Sequence, residues 1–268
     1  MNNIAFLGGG NIATAIIGGL LNTGYAGTDI SVADPDQKQC RKLSQMGVSI
    51  ASTNSQAAQN ADVILICVKP DQVEIAATAI VPLRPDQLVI SVAAGINTTS
   101  LKQWLGSANL VRCMPNTPAL VETGATGLHA NEYVNDEQHD LAENIMRSVG
   151  ITVWVQDEDE LNAVTAISGS GPAYFFLLME AMEASAKSLG LSDDVARILI
   201  EQTALGAAKI ALESGESPSE LRQRVTSPNG TTEQALNTFA NGDFNGLVER
   251  ALKSAHDRSI SLSEELGA

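Results

Sequence analysis

A chain of 268 residues with 44% hydrophobic and 18% charged side chains has the composition of a globular protein, with room for one large domain or two modest ones, and excludes a disordered chain. A formal net charge of −15, with only 16 lysines and arginines, argues against nucleic acid as a partner, because neutralising phosphates needs a concentrated basic face. Cys40, Cys67 and Cys113 are scattered, as are His129, His139 and His256, which fits reduced thiols and neither a disulfide framework nor a metal site.

Residues 4–7 read as a first strand, cut short by Gly8, Gly9 and Gly10, and residues 11–21 as a helix. No targeting segment is expected from so brief an apolar run, and no stretch of about 18 uninterrupted apolar residues suggests a membrane partner. The cytoplasm is the expected compartment. Further strands are expected at 29–33, 62–68, 87–92, 109–113 and 151–155, with helices near 37–45 and 136–149. Alternation of helices with doubly buried strands predicts an α/β fold with a parallel sheet covered on both faces.

The acidic run Asp157-Glu158-Asp159-Glu160 marks a change of texture. It divides the chain into an expected dinucleotide-binding domain over 1–158 and an expected all-helical domain over 159–268. Helices are predicted at 161–188, 193–213, 218–225, 232–240 and 244–265. Ser217, Pro218 and Glu220 supply an N-cap, a first-turn proline and a capping-box glutamate, and Thr231 with Gln234 fits a second box. Residues 173–186 are apolar on nearly every side, more than a small bundle can bury, so a second subunit is expected to cover them.

The chemistry is concentrated in loops. Gly8-Gly9-Gly10-Asn11-Ile12-Ala13 follows the first strand and opens a helix, the context of a dinucleotide fingerprint: Gly8 for the tight turn, Gly10 for approach of the pyrophosphate, and the small Ala13 for close packing. Asp34 ends the second strand, where an acidic residue accepts hydrogen bonds from the adenosine ribose and favours NAD over NADP. Lys38, Arg41 and Lys42 lie close in sequence, so both cofactors stay open. Val68-Lys69-Pro70, Ala93-Ala94-Gly95 and Met114-Pro115-Asn116-Thr117-Pro118 follow three further strands at the edge where open α/β sheets bind ligands. In the helical half, Ser168-Gly169-Ser170-Gly171-Pro172 breaks a helical pattern, either as a packing kink or to expose amides to a substrate. Thr226-Ser227-Pro228-Asn229-Gly230-Thr231-Thr232 precedes a helix and reads either as an anion site that needs no arginine or as plain N-capping.

In this order, and spanning residues 8 to 232, these motifs resemble those of the pyrroline-5-carboxylate reductase family. The resemblance implies an N-terminal Rossmann domain and a C-terminal all-helical dimerisation domain, with the active site formed between subunits of a homodimer or higher homo-oligomer. It implies hydride transfer from NADPH or NADH to the small-molecule substrate 1-pyrroline-5-carboxylate, giving proline, the last step of proline biosynthesis. It implies cofactor contacts from Gly8, Gly10, Asn11, Ile12, Asp34, Asn54, Val68, Lys69, Pro70, Ala94, Gly95 and Asn116. Substrate contacts are implied from Ser170, Gly230, Thr231 and Thr232, with the Thr232 hydroxyl nearest the ring nitrogen. Two positions depart from the family pattern: Asn229 stands where glycine is common, and Asp34 where a small or basic-flanked residue is frequent. A 3-hydroxyacid dehydrogenase would share the domain plan, but its expected lysine after the glycine-rich break is missing, since Phe175, Phe176, Leu177 and Leu178 fill that stretch. A nucleotide sensor without turnover would not need the second loop.

Overall fold

The computed structural model describes residues 2–106 and 108–267. One eight-stranded sheet runs in the order β3 (Ser49–Ile50), β2 (Ile30–Ala33), β1 (Ile4–Leu7), β4 (Val63–Ile66), β5 (Leu88–Ser91), β6 (Asn109–Met114), β7 (Gly124–Ala130) and β8 (Gly150–Trp154). The first six are parallel, β7 runs antiparallel to β6, and β8 parallel to β7. The six parallel strands in the order 3-2-1-4-5-6 form a doubly wound dinucleotide-binding sheet.

Period-two alternation between two covered faces explains why β1 and β4 are apolar throughout and β5 is apolar up to Ser91. Ile4, Phe6, Val63 and Leu65 face one way, onto Ile16 and Ile17 of α1 (Asn11–Asn22) and Met146 of α6 (Asp136–Arg147). Ala5, Leu7, Ile64 and Ile66 face the other, onto α3 (Asn54–Ala58), α4 (Val73–Thr78) and α5 (Thr98–Leu105). Helices on both sides leave no strand residue needing to be polar.

Two strands differ from the sequence expectation. The two exposed residues of β3 are too few to show a period. In β7, Gly-Ala-Thr-Gly-Leu-His-Ala carries almost no bulk, and its smallness has a structural cause: a Cβ on Gly127 would lie 2.8 Å from Val164 Cγ1, so the following helix can approach the sheet only over a glycine.

That helix is a continuous run. α7 (Glu160–Val164) passes through a π-turn at Thr165–Gly169 into α8 (Gly171–Ser188), with Ser170 N donating to Thr165 O at 2.8 Å. Pro172 has no N–H to give the carbonyl of Ser168, and Asn116 Nδ2 donates to that oxygen instead at 3.2 Å. The glycine- and proline-rich break is thus a π-turn within a continuing helix, with the Ser170 amide already bonded. Glu160–Ser188 is long and apolar enough to cross a membrane by length and composition. Glutamates and small polar residues punctuate the stretch, so it holds no run of about 18 uninterrupted apolar residues.

The rest is helical: α9 (Asp193–Ser214), α10 (Pro218–Arg224), α11 (Thr231–Asn241) and α12 (Phe244–Leu266). Ser217 and Glu220 form the expected capping box around Pro218. The chain divides into two compact units, Met1–Pro172 with Ser254–Ala268, and Ala173–Lys253. The last turns of α12 belong to the first unit, where Ser100 Oγ donates to Gly267 O at 2.7 Å and Ser259 Oγ to Asn162 Oδ1 at 2.8 Å.

Candidate active site

The carboxyl ends of the parallel strands converge on the turn after β1. Gly8 has φ +93°, and its N–H donates to Ala33 O at 2.8 Å. A Cβ there would sit 2.9 Å from both Cys67 O and Val68 Cγ1, so the turn is pressed against the segment leaving β4 and only glycine fits. Gly9 N donates to Asp34 Oδ2 at 2.7 Å, while Gly9 O accepts from Thr14 Oγ1 at 3.2 Å and from Gln39 Nε2. Gln39 Nε2 also donates to Thr14 Oγ1 at 2.9 Å, bracing the turn from α2 (Gln37–Gln45). No sequence motif singled out Gln39.

Gly10, the N-cap of α1, is exposed, and nothing lies within 4 Å of where its Cβ would be. No side chain caps this helix, so the first-turn amides at Asn11 and Ile12 keep their donors for a ligand. A braced turn, an open approach and an uncapped helix N-terminus are the features a dinucleotide pyrophosphate requires, and the residues present fit that group.

The other loops line the same edge of the sheet, since Leu7, Ile66, Ser91 and Arg112 are in register across β1, β4, β5 and β6. Val68 packs partly against the core, Lys69 is exposed, and Pro70 opens a 3-10 turn, Pro70–Gln72. Burial pushes the Cys67 thiol up to about 12 and raises that of Cys113 as well, so neither is a nucleophile near neutral pH. Asn54 begins α3, capped by the Thr53 hydroxyl, which accepts from Gln56 N. Ala94 is half-buried; Gly95, at φ +76°, lies against Leu262 and Leu266 of α12. Asn116 is committed to the scaffold, with Nδ2 on Ser168 and Oδ1 accepting from Ala125 N at 3.0 Å.

A second unforeseen cluster supports the β5 loop. Glu158 accepts from Thr98 N at 2.7 Å, from Thr98 Oγ1 at 2.5 Å and from Arg112 Nη1 at 2.6 Å. With side chains only 22% and 12% exposed, Glu158 and Arg112 form a partly buried ion pair, although in sequence Glu158 stands only within the acidic run that marks a change of texture. Burial pushes the Glu158 carboxyl up, but the Thr98 hydroxyl and the Arg112 charge outweigh it and hold the group below the usual carboxylate range.

In the helical unit, Gly230, Thr231 and Thr232 come together at the start of α11. Asn229 has φ +59°, the left-handed conformation that asparagine tolerates in place of glycine, and its N–H donates to Glu233 Oε2 at 2.8 Å. The expected box of Thr231 and Gln234 does not form. The left-handed residue brings Gly230 into the extended N-cap position, which makes Thr231 the first helical residue, and no side chain caps the helix. Its first amides therefore remain available, next to an exposed Thr231 and a half-buried Thr232. Among the described residues no group of three or more histidines, cysteines or carboxylates could hold a metal.

Known proteins extend the comparison to the whole chain. Residues 158–262 match the family description "Pyrroline-5-carboxylate reductase dimerisation", and residues 3–95 match "NADP oxidoreductase coenzyme F420-dependent". Pyrroline-5-carboxylate reductase of Pseudomonas aeruginosa is 48% identical over 267 residues, covering 98% of each chain. The chain belongs to the pyrroline-5-carboxylate reductase family. The Haemophilus influenzae reductase is 42% identical over 259 residues, covering 96% of each. Among solved structures, the Coxiella burnetii reductase superposes with a TM-score of 0.93 at 45% identity, covering 98% of both chains. The Plasmodium falciparum enzyme, solved with NADP bound, gives 0.87 at 28% identity and the same coverage. The family fold is thus a Rossmann-type sheet domain followed by a helical dimerisation domain.

Proposed function

We propose that this protein reduces 1-pyrroline-5-carboxylate to L-proline with NADPH or NADH, as a cytoplasmic homodimer or higher homo-oligomer. The carrying observation is full-length identity to reductases of this name together with an uncapped helix N-terminus in each unit, at Gly10 and at Gly230.

A reduced nicotinamide, when bound, would supply the hydride that adds to the imine carbon of the ring, C2 of the pyrroline and C5 of the proline formed. The C=N π pair then becomes the nitrogen lone pair, and the nitrogen holds the proton of the iminium form. An iminium carbon is already electrophilic, so the chain's residues have only to bind, orient and exclude water, which accounts for the absence of a His-Asp pair from the motifs. Gly8, Gly10, Asn11 and Ile12 offer turn and helix amides to the pyrophosphate; Asp34 faces the ribose; Asn54, Val68, Lys69, Pro70, Ala94 and Gly95 line the way to the nicotinamide. Asn116 acts through Ser168 and Ala125, shaping the wall of the site. Gly230 and Thr231 take the substrate carboxylate on α11's free amides, Ser170 borders the ring, and the Thr232 hydroxyl bonds the ring nitrogen.

The exposed apolar side chains of Phe175, Phe176 and Leu177 fit the dimerisation description that covers them, which favours a partner subunit over a membrane as what buries this helix. Thr232→Ala is expected to lower kcat by about 100-fold or more, read from the loss of reduced-nicotinamide absorbance with pyrroline-5-carboxylate. Wild-type kcat and KM in that variant would remove Thr232 from the mechanism.

A further inference from the structure

Resting on the cofactor reading above, we propose that Asp34 makes this protein prefer NADH to NADPH by barring the 2′-phosphate. Asp34 directly follows β2, where a Rossmann sheet meets the adenosine ribose. Its carboxylate cannot swing aside, because Oδ2 accepts from Gly9 N and Oδ1 from Asp36 N, each at 2.7 Å. Each oxygen keeps a second lone pair, so the anchored group still accepts hydrogen bonds from ribose hydroxyls.

A phosphate on the 2′ oxygen replaces that hydroxyl donor with roughly −1.5 to −2 charges near neutral pH. The backbone of the loop after β2 offers no free amide to meet them. Pro35 has no N–H, and that of Asp36 is spent on Asp34. The Asp36 carboxylate, which caps α2 by accepting from Lys38 N at 2.8 Å, adds a second negative charge. The α2 side chain bonded to the glycine turn is the neutral Gln39. Lys38, Arg41 and Lys42 are exposed, and among the described residues none bonds to Asp34 or Asp36. Together these observations describe a ribose subsite built for two free hydroxyls.

Calorimetric titration of the full-length protein with 5′-ADP and with 2′,5′-ADP reads the subsite without turnover. Wild type is expected to bind 5′-ADP at least about tenfold more tightly, since placing like charges together costs several factors of ten in the absence of compensation. Steady-state kcat/KM with pyrroline-5-carboxylate is expected to favour NADH over NADPH in the same direction. Asp34→Asn keeps an oxygen for the Gly9 amide while removing the charge, and should bring both ratios towards unity. Equal or tighter binding of 2′,5′-ADP by wild type, or ratios unmoved in Asp34→Asn, would overturn the proposal. Failure of both nucleotides to bind, with no oxidation of either reduced cofactor, would instead sink the reading of the glycine turn itself.

Discussion

In the unit built on the sheet, Ile4, Phe6, Leu65 and Met146 on one face and Leu7, Ile66 and Leu101 on the other are sealed from water within one chain. In the unit Ala173–Lys253, only Ala196 and Ile200 are buried among the described apolar residues, while Phe175, Phe176 and Leu177 are 65%, 63% and 66% exposed. The helices of the second unit are well specified locally, by caps and by strong helix formers, yet they bury too little to offset the entropy of ordering them. Local signals make a helix; only neighbours make it stable. The first unit finds its neighbours in its own chain; within its own helices the second buries only Ala196 and Ile200 among the described apolar residues.

The largest effect should come from attacking that difference directly. Phe176→Asp on a free-standing monomer would be a surface change worth no more than about 0.5 kcal/mol. If a partner subunit covers the helix, the same change buries an unpaired carboxylate; sedimentation should then show the mass halved, and thermal unfolding a much lower midpoint. An unchanged mass and midpoint would make the helical unit self-sufficient.

A smaller effect tests how far the first unit depends on a single buried ionic contact. Glu158→Ala leaves Arg112 without its partner and the Thr98 amide without an acceptor, and should cost about 3 kcal/mol in urea unfolding. Because the folded carboxyl titrates below its unfolded value, the wild-type contribution is complete above about pH 4.3 and is lost as pH falls through the lower folded value. Glu158→Gln should therefore flatten the acid limb of the stability profile; an identical limb would mean that the ion pair carries no net stability.

The smallest test concerns local signals alone. Ser217→Ala removes the hydroxyl that accepts from Glu220 N and donates to Glu220 Oε2, leaving only the backbone bond from Ser217 N to Glu220, and should cost about 1 kcal/mol. An unmoved thermal midpoint would show that α10 is held by packing and not by its cap.

Much of this site was legible one loop at a time. Gly8 and Gly10 follow a strand and open a helix, and each has a backbone reason that sequence alone supplies. The left-handed Asn229 was likewise readable, because asparagine is among the few residues that accept that conformation. The hydrogen bonds of Asn116, the brace at Gln39 and the Glu158 cluster were not readable, since they join residues between 9 and 60 positions apart. The nearest of these pairings, Asn116 with Ala125, reaches the start of a glycine-bearing strand that shows no hydrophobic period.

By itself the sequence determined the alternating strands and helices, the glycine turn, the capping box at Ser217 and the left-handed fit of Asn229, because each rests on the conformational preferences of a few consecutive residues. Tertiary structure alone decided the reversed direction of β7, the π-turn that carries Glu160–Ser188 past the sheet, and the fixing of Asp34 by the Gly9 amide. Those features depend on which distant backbone groups come within about 3 Å of one another, and hydrogen bonds that short are set by packing, not by the residues on either side.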